Sequence, residues 1–261
     1  MDFISQRALV GGSTQGIGRA VAEELAQRGA TVTLLARNAE ALQAVVAALP
    51  RPNNQPHDFI VADFSQPEQL REQVHSYLTH HPEGFDILVN NTGGPAGGPL
   101  LDASINALRD AFEQHVICNQ LLAQEVVPGM QARKHGRVIN IISTSVKQPL
   151  PGLGVSNTIR AAVGNWAKTL ANELGPDGIT VNNVLPGATV TQRHTSLMEK
   201  KVAQTGQSLS EVEAAMLQQI PARRFGQATE VAAAVAFLAS AAAAYITGIN
   251  VPVDGGRTGN L

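Results

Sequence analysis

The sequence predicts a single α/β domain in which helices cover both faces of a doubly wound, seven-stranded parallel sheet. Short apolar runs alternate with longer segments of helical periodicity along the chain, as in successive βαβ units. Most of these runs are continuous rather than interrupted by polar residues, which is typical of strands covered on both faces. With 261 residues and 44% hydrophobic content, the chain can bury one large core.

Seven strands and six helices follow one another in this alternation. The predicted strands are Arg7–Gly11, Thr31–Ala36, Asp58–Ala62, Asp86–Asn90, Arg137–Ile142, Thr180–Leu185 and Asn250–Val253. The predicted helices are Gly16–Gly29, Ala39–Leu49, Pro67–His80, Ile105–Arg133, Val155–Gly175 and Thr229–Ala239. No shift in composition divides the chain, so we expect one domain over residues 1–261.

One segment, Thr189–Gln219, departs from the alternation. It is polar and lies between the sixth predicted strand and the next helix. An insertion at the carboxyl edge of a parallel sheet is placed to cover a ligand crevice, so we expect a lid-like element at about residues 189–219. The alternative is a helical surface excursion without a gating role.

The balance of charge and the cysteine content exclude several classes of protein. The chain carries 19 Lys+Arg against 21 Asp+Glu, which argues against a dedicated nucleic-acid or membrane-surface binder. No apolar stretch approaches the roughly 20 residues of a membrane span, and the first residues lack a signal-peptide pattern. The single Cys118 suits a reducing compartment. We therefore expect a cytoplasmic protein that acts on a small-molecule substrate, without a nucleic-acid or membrane partner.

Histidines near the end of the third helix invite a metal interpretation. His75, His80 and His81 are close in sequence, but neither a cysteine nor a carboxylate completes a tetrahedral ligand set near them. A solvated helix end explains them better, and we expect no metal site.

A glycine-rich turn follows the first strand and opens the first helix. Glycine allows close backbone approach, and the free amides at a helix start favour a pyrophosphate. Gly12, Gly16 and Gly18 depart from the common G-x-G-x-x-G spacing. Their position after the first strand of a βαβ pattern nevertheless predicts a nucleotide site in a Rossmann-type fold.

The end of the second strand indicates which nicotinamide cofactor binds. An acid at this position would accept hydrogen bonds from a ribose 2′-hydroxyl, but Ala36 stands there and Arg37 follows. Because a guanidinium suits a phosphate, we predict that NADP(H) is preferred over NAD(H). The alternative is that Arg37 is a solvated surface residue and that NAD is accepted.

Several motifs in order make the chain resemble the short-chain dehydrogenase/reductase family over essentially its whole length. These motifs are Gly12–Gly18, Asn90–Gly93, Ser143, Pro186-Gly187, Ile220–Gly226 and Ile246–Gly256. The resemblance and the preceding arguments imply that the cofactor contacts Gly12, Ser13, Gln15, Gly16, Ile17, Gly18, Arg37, Asp63, Asn90, Gly93, Arg160, Pro186, Gly187 and Thr191. Within this set, Asp63 resembles the family's adenine-contacting acid.

The catalytic positions depart from the family pattern of Asn, Ser, Tyr and Lys. Ser143 falls on the family's serine, whereas Ser156 and Arg160 stand at the tyrosine and lysine of its Tyr-x-x-x-Lys helix. The family's asparagine falls on His115. The resemblance thus implies a catalytic set of Ser143, Ser156, Arg160 and His115 in which three of four residues are substituted.

The substituted set predicts a slow rather than an absent reaction. An aliphatic hydroxyl is a much weaker acid than a phenol, and Arg160 cannot compensate for that difference. General acid–base help is worth about 10²–10⁴-fold, whereas alignment of hydride donor and carbonyl contributes about 7–11 kcal/mol. The proton could come from His115 or from water held by Ser143, Ser156 and Arg160. Alternatively, His115 fills space in its helix or at a dimer interface.

Three functions remain open at this stage. The first is an NADP(H)-dependent oxidoreductase that interconverts a carbonyl and an alcohol in a small organic substrate. The second is a catalytically weak or inactive nucleotide-binding homologue that acts as a sensor or partner subunit, and the third is a lyase or isomerase on the same fold. The resemblance also implies a homodimer or homotetramer paired through the long helices 105–133 and 155–175.

Overall fold

Seven parallel strands form the central sheet of the computed structural model, which describes residues 2–260, in the order β3-β2-β1-β4-β5-β6-β9. The strands of this sheet are β1 (Arg7–Gly11), β2 (Thr31–Ala36), β3 (Asp58–Val61), β4 (Ile87–Asn90), β5 (Gly136–Ile141), β6 (Ile179–Pro186) and β9 (Asn250–Val253). A separate two-stranded pair consists of β7 (Thr189–Val190) and β8 (Gly226–Gln227). The predicted fold class is confirmed, with strand bounds that are identical in three strands and differ by one residue at one or both ends in the other four.

Helices cover both faces of this sheet. They are α1 (Gly16–Gln27), α2 (Ala39–Ala48), α3 (Pro67–His80), α4 (Ile105–Phe112), α5 (Cys118–Arg133), α6 (Gly154–Leu174), α7 (Gln192–Thr205), α8 (Leu209–Gln218) and α9 (Ala228–Ala239). One core lies under α1, α2 and α9, and a second lies under α3, α5 and α6. Leu9 and Val10 of β1 point to opposite cores and are both fully buried, which explains why the strand is a continuous apolar run. Across residues 2–260, no helix combines the length and apolar character needed to cross a membrane.

The predicted helix Ile105–Arg133 is interrupted. A π-helical turn at Glu113–Ile117 separates α4 from α5 and contains His115. A π turn still continues the helical course of the chain, so the apolar pattern of the sequence does not reveal it. Such turns occur frequently at functional sites, and this one lies where the resemblance places a catalytic residue.

The predicted insertion at residues 189–219 consists mainly of two helices. Its residues form β7, α7 and α8, and β7 pairs with β8 just before α9. Thr191 caps the start of α7, because its side chain accepts a hydrogen bond from the backbone amide of His194. This cap fixes where the insertion turns away from the carboxyl edge of the sheet.

A ladder of four asparagine side chains crosses the sheet below this edge. Asn90, Asn140, Asn183 and Asn250 occupy paired positions on β4, β5, β6 and β9. In each step the Nδ2 group of one asparagine donates to the Oδ1 atom of the next at 2.8 Å. Asn140 is fully buried, so the ladder supplies hydrogen bonds that water cannot.

We expect the hydrogen bonds of the asparagine ladder to contribute substantially to the free energy of unfolding. Asn140→Ala leaves two buried partners unsatisfied, at about 1–3 kcal/mol each, whereas Asn250→Ala at the sheet edge leaves only one. The free energy of unfolding in urea should therefore fall by about 2–6 kcal/mol in the first variant and by less in the second. Equal losses would contradict the ladder as a connected unit.

Candidate active site

The glycine turn between β1 and α1 is packed too closely for side chains. A Cβ atom on Gly18 would lie 2.2 Å from the carbonyl oxygen of Gly12, which itself adopts a positive φ of 56°. The Nδ2 atom of Asn91 donates to the carbonyl oxygens of Gly11 at 3.1 Å and Gly12 at 3.3 Å. These bonds tie the turn to the end of β4, across the point where the strand order reverses.

The start of α1 is open to an anion. Within residues 2–260, no side-chain hydrogen bond from Gln15 caps this helix, and its first turn contains no acidic residue. The first amides of an uncapped helix carry unsatisfied donors and the positive end of the helix dipole. The arrangement therefore suits a phosphate group.

A cavity of about 420 Å³ begins at this turn. Nine of the predicted cofactor residues line it: Gly12, Gln15, Gly16, Ile17, Gly18, Arg37, Asp63, Gly93 and Thr191. Arg37 and Asp63 follow neighbouring strands, β2 and β3, and the Oδ1 atom of Asp63 accepts a hydrogen bond from the Ser65 amide at 2.9 Å. Thr191, Gln192 and Arg193, at the start of the insertion, complete the lining, and a Cβ atom on Gly16 would lie 3.4 Å from Cγ2 of Thr191.

Five other predicted cofactor residues lie outside the lining of this cavity: Ser13, Asn90, Arg160, Pro186 and Gly187. The Oγ atom of Ser13 accepts from the Leu35 amide at 3.1 Å, and Asn90 belongs to the asparagine ladder. Pro186 ends β6, and Gly187 packs so closely on Asp254 that a Cβ atom would lie 2.6 Å from its side chain. The side chains of Ser13 and Asn90 thus support the sheet behind the cavity, a distinction that motif position alone does not make.

The structure places Ser143 and Arg160 at the carboxyl end of β5. Ser143 begins a short 3₁₀ turn, where its Oγ atom accepts from the Ser145 amide at 3.1 Å. The Nη1 atom of Arg160 donates to the carbonyl oxygen of Ile141, the last residue of β5, at 2.7 Å. Ser156 lies one turn before Arg160 on α6 and is also buried. Burial and the nearby charge of Arg193 lower the pKa of Arg160 to about 10, so its guanidinium is charged at pH 7.

His115 is neutral at pH 7. Its side chain is only 2% exposed, and its Nε2 atom is buried without a hydrogen-bond partner. Burial, and next the positive charge of Arg160, lower the pKa of His115 to about 2. A neutral imidazole has no imidazolium proton to transfer, so this environment favours the space-filling and positioning role over that of a proton donor.

Among residues 2–260, neither tyrosine is hydrogen bonded to Ser143, Ser156 or Arg160. The Oη atom of Tyr77 is 3.1 Å from Thr33 Oγ1, and its ring stacks on His81 and Phe85. Tyr245 is fully exposed before β9. Burial raises the pKa of the Cys118 thiol to about 12, so this cysteine remains protonated. Residues 2–260 contain no cluster of three or more metal-ligating side chains.

Arg193 is the residue that sequence reasoning missed. Its Nη1 and Nη2 atoms donate to the carbonyl oxygens of Gly94 at 2.8 Å and Pro95 at 2.9 Å. The contact joins segments almost one hundred residues apart in the chain, which no local pattern reveals. The available signal was an arginine in the first turn of the insertion, two residues after Thr191.

The fold and this cavity define a dinucleotide-binding α/β protein whose crevice opens between β1 and β4. A sequence model described as enoyl-(acyl carrier protein) reductase matches residues 12–258. The 3-oxoacyl-[acyl-carrier-protein] reductase FabG of Escherichia coli is 36% identical over 258 residues, which are 98% of each chain. The chain belongs to the short-chain dehydrogenase/reductase family.

Two further similarities extend over nearly the whole chain. The NADPH-dependent reductase BacG of Bacillus subtilis is 28% identical over 249 residues, covering 95% of this chain and 96% of that protein. The crystal structure of an L-sorbose reductase from Gluconobacter frateurii, complexed with NADPH and L-sorbose, superposes with a TM-score of 0.93 at 31% identity and covers 100% of both chains.

The burial of neutral His115 predicts a specific dependence of stability on pH. The pKa of this histidine falls from 6.5 to about 2 on folding, so below pH 6.5 only the unfolded chain takes up the proton. The free energy of unfolding should therefore decrease as the pH falls. Between pH 7 and pH 5, the free energy of unfolding should fall by about 2 kcal/mol more in wild type than in His115→Asn. Urea unfolding at both pH values measures this difference.

Two comparisons make this test specific. A constant offset from the changed packing cancels because only the pH dependence is compared. His80→Asn, on the exposed surface of α3, should follow wild type. If His115→Asn also follows wild type across this range, His115 is not held neutral in the folded protein.

Proposed function

We propose that the protein is an NADP(H)-dependent oxidoreductase that interconverts a carbonyl and an alcohol in a small organic substrate. The observation that carries the proposal is the cavity of about 420 Å³, which is lined by Arg37, the glycine turn and Gly93. Arg160 lies close enough to His115 for its positive charge to lower the pKa of that histidine. The names of the relatives, which include NADPH-dependent reductases, support the same activity.

The residues of the cavity fit this cofactor. The uncapped amides at the start of α1 would hold the pyrophosphate, and Arg37 would pair with the 2′-phosphate. Asp63 and Gly93 would flank the adenosine half, and Thr191 would close the cavity from the insertion. When bound, the nicotinamide supplies or accepts the hydride.

The side chains at the end of β5 and on α6 would then act on the substrate oxygen. The Ser143 hydroxyl accepts from the Ser145 amide, which leaves its own proton free to donate to a carbonyl. Arg160 would stabilise negative charge that develops on this oxygen. Ser156 would hold a water molecule that delivers the proton, because the neutral His115 cannot. A positioned acid is absent from this set, so we expect turnover about 10²–10⁴-fold below that of a tyrosine-containing site.

A second candidate function is a nucleotide-binding sensor or partner subunit without turnover. Ser156 favours this function because an aliphatic hydroxyl is a weak acid. Arg160 favours it because one of its guanidinium nitrogens already donates to the Ile141 carbonyl oxygen. Tight NADPH binding without NADPH oxidation across a panel of aldehydes, ketones and imines would support this function against the first.

The proposal includes a homodimer or homotetramer. Exposed apolar side chains of α4, among them Ile105 and Phe112, line a surface cavity of about 310 Å³ together with Ile159 of α6. Pairing of two copies through α4 and α6 would cover these side chains.

The role of Arg37 gives a direct test of cofactor preference. Arg37→Ala removes the guanidinium that would pair with the 2′-phosphate, so the dissociation constant for NADPH should rise at least tenfold. The constant for NADH should change less than twofold, since NADH lacks this phosphate. Fluorescence titration of both nucleotides measures the two constants, and equal losses would count against the 2′-phosphate contact.

The substituted catalytic pair gives a test of activity. Ser156→Tyr combined with Arg160→Lys restores a phenol and a flexible ammonium one helical turn apart, and should raise the rate of carbonyl reduction by one to two orders of magnitude. The rate is followed as NADPH absorbance with a panel of aldehydes and ketones. A folded double variant that binds NADPH without any gain in rate would refute the proposed role of these positions.

A further inference from the structure

The first residues of the insertion connect the two sides of the crevice between β1 and β4. On the β1 side, a Cβ atom on Gly16 would lie 3.4 Å from Cγ2 of Thr191. On the β4 side, the Nη1 atom of Arg193 donates to the carbonyl oxygen of Gly94 at 2.8 Å. Thr191 and Arg193 are only two residues apart, so residues Thr191–Arg193 form a short strap across the crevice. The strap lines the cavity together with Gly16 and Gly94.

Arg193 holds the strap on the β4 side by a close contact with the backbone. Its Nη2 atom donates to the carbonyl oxygen of Pro95 at 2.9 Å, in addition to the bond from Nη1 to Gly94. The guanidinium also lies against Gly94, where a Cβ atom would be 2.8 Å from Nη2 and 2.9 Å from Cζ. Gly94 does not adopt a positive φ. The guanidinium, rather than the backbone conformation, therefore excludes a side chain at this position.

The contacts on both sides of Arg193 are themselves fixed. Behind the strap, β7 pairs with β8 at Val190 and Gln227, which holds the base of the insertion. The loop that follows β4 is bonded to the loop before α6, because the Gly98 amide donates to the Gly152 carbonyl oxygen at 2.7 Å. Within residues 2–260, Arg193 is the only residue of the insertion that is hydrogen bonded to residues 91–100. The position of the strap on this side thus depends on one side chain.

We propose that Arg193 holds the strap closed over the nucleotide cavity and thereby sets how fast nucleotide enters and leaves. This inference rests on the proposed function, because it takes the cavity as the nucleotide site. The strap lies beside the start of α1, whose free amides would hold the pyrophosphate. Passage of the nucleotide then requires the guanidinium to leave the carbonyl oxygens of Gly94 and Pro95. Arg193 is a positioning residue in this role, since it acts through the backbone of the loop.

Two variants open the strap by different means. Arg193→Gln removes the charged donor, whereas Gly94→Ala displaces the guanidinium and keeps its charge. Stopped-flow fluorescence measures the association rate constant of NADPH, and displacement by excess NADP⁺ measures its dissociation rate constant. We expect both constants to rise at least fivefold in both variants, with the dissociation constant within threefold of wild type. A strap that opens more often accelerates entry and exit alike.

Two further variants serve as controls. Gly98→Ala adds a methyl group to the same loop at a position where a Cβ atom meets nothing within 4 Å, so it should retain the rate constants of wild type. Arg193→Lys keeps the charge without the planar fork and should show intermediate rate constants. Wild-type rate constants in both Arg193→Gln and Gly94→Ala would overturn the inference. So would a dissociation constant raised at least tenfold in Arg193→Gln alone, since Arg193 would then bind a phosphate directly.

Hydrogen–deuterium exchange without nucleotide separates this inference from the proposed function. In Arg193→Gln and Gly94→Ala, the backbone amides of residues 191–198 should exchange at least fivefold faster than in wild type and in Gly98→Ala. If NADPH does not bind to wild type, the proposed function fails. The strap is then judged by exchange alone, and unchanged exchange in both variants refutes the hold of Arg193 on it.

Discussion

The close approach of three backbone segments at Gly12 is the constraint on which the cavity depends. The side-chain amide of Asn91 donates to the carbonyl oxygens of Gly11 and Gly12, and any Cβ atom on Gly18 would overlap the second of these oxygens. β1, β4 and the start of α1 are thereby held in contact. Because the strand order reverses between β1 and β4, the crevice opens at this contact and faces the free amides of α1.

Buried polar contacts extend this constraint from the crevice to the carboxyl end of β5. Asn90, next to Asn91, starts the asparagine ladder that fixes the register of β4, β5, β6 and β9. The bond from Arg160 to the Ile141 carbonyl then joins α6 to the end of β5, two residues before Ser143. Polar networks inside a protein specify one arrangement, since each alternative leaves buried groups unpaired. The positions of Ser143 and Arg160 therefore follow from the same hydrogen bonds that hold the sheet together.

The sequence predicts those features of the site that depend on local rules. Ser156 and Arg160 share a helix face because they are four residues apart, and Ser143 follows a strand whose carboxyl end must face the crevice. The π turn around His115 escapes prediction because its residues continue a helical pattern. The bridge from Arg193 to Gly94 escapes it because the two segments meet only in the folded chain. Motif position likewise does not show that Asn90 points into the sheet rather than into the cavity.

The charges at the end of β5 define what kind of chemistry the site can support. Arg160 keeps its positive charge at pH 7 and His115 keeps none, so in the proposed function Arg160 would stabilise a developing oxyanion and His115 would not donate the proton. Alignment of donor and acceptor contributes about 7–11 kcal/mol to such reactions, whereas general acid help contributes about 3–5 kcal/mol. A site that preserves the first contribution and replaces the second by water still lowers the barrier substantially.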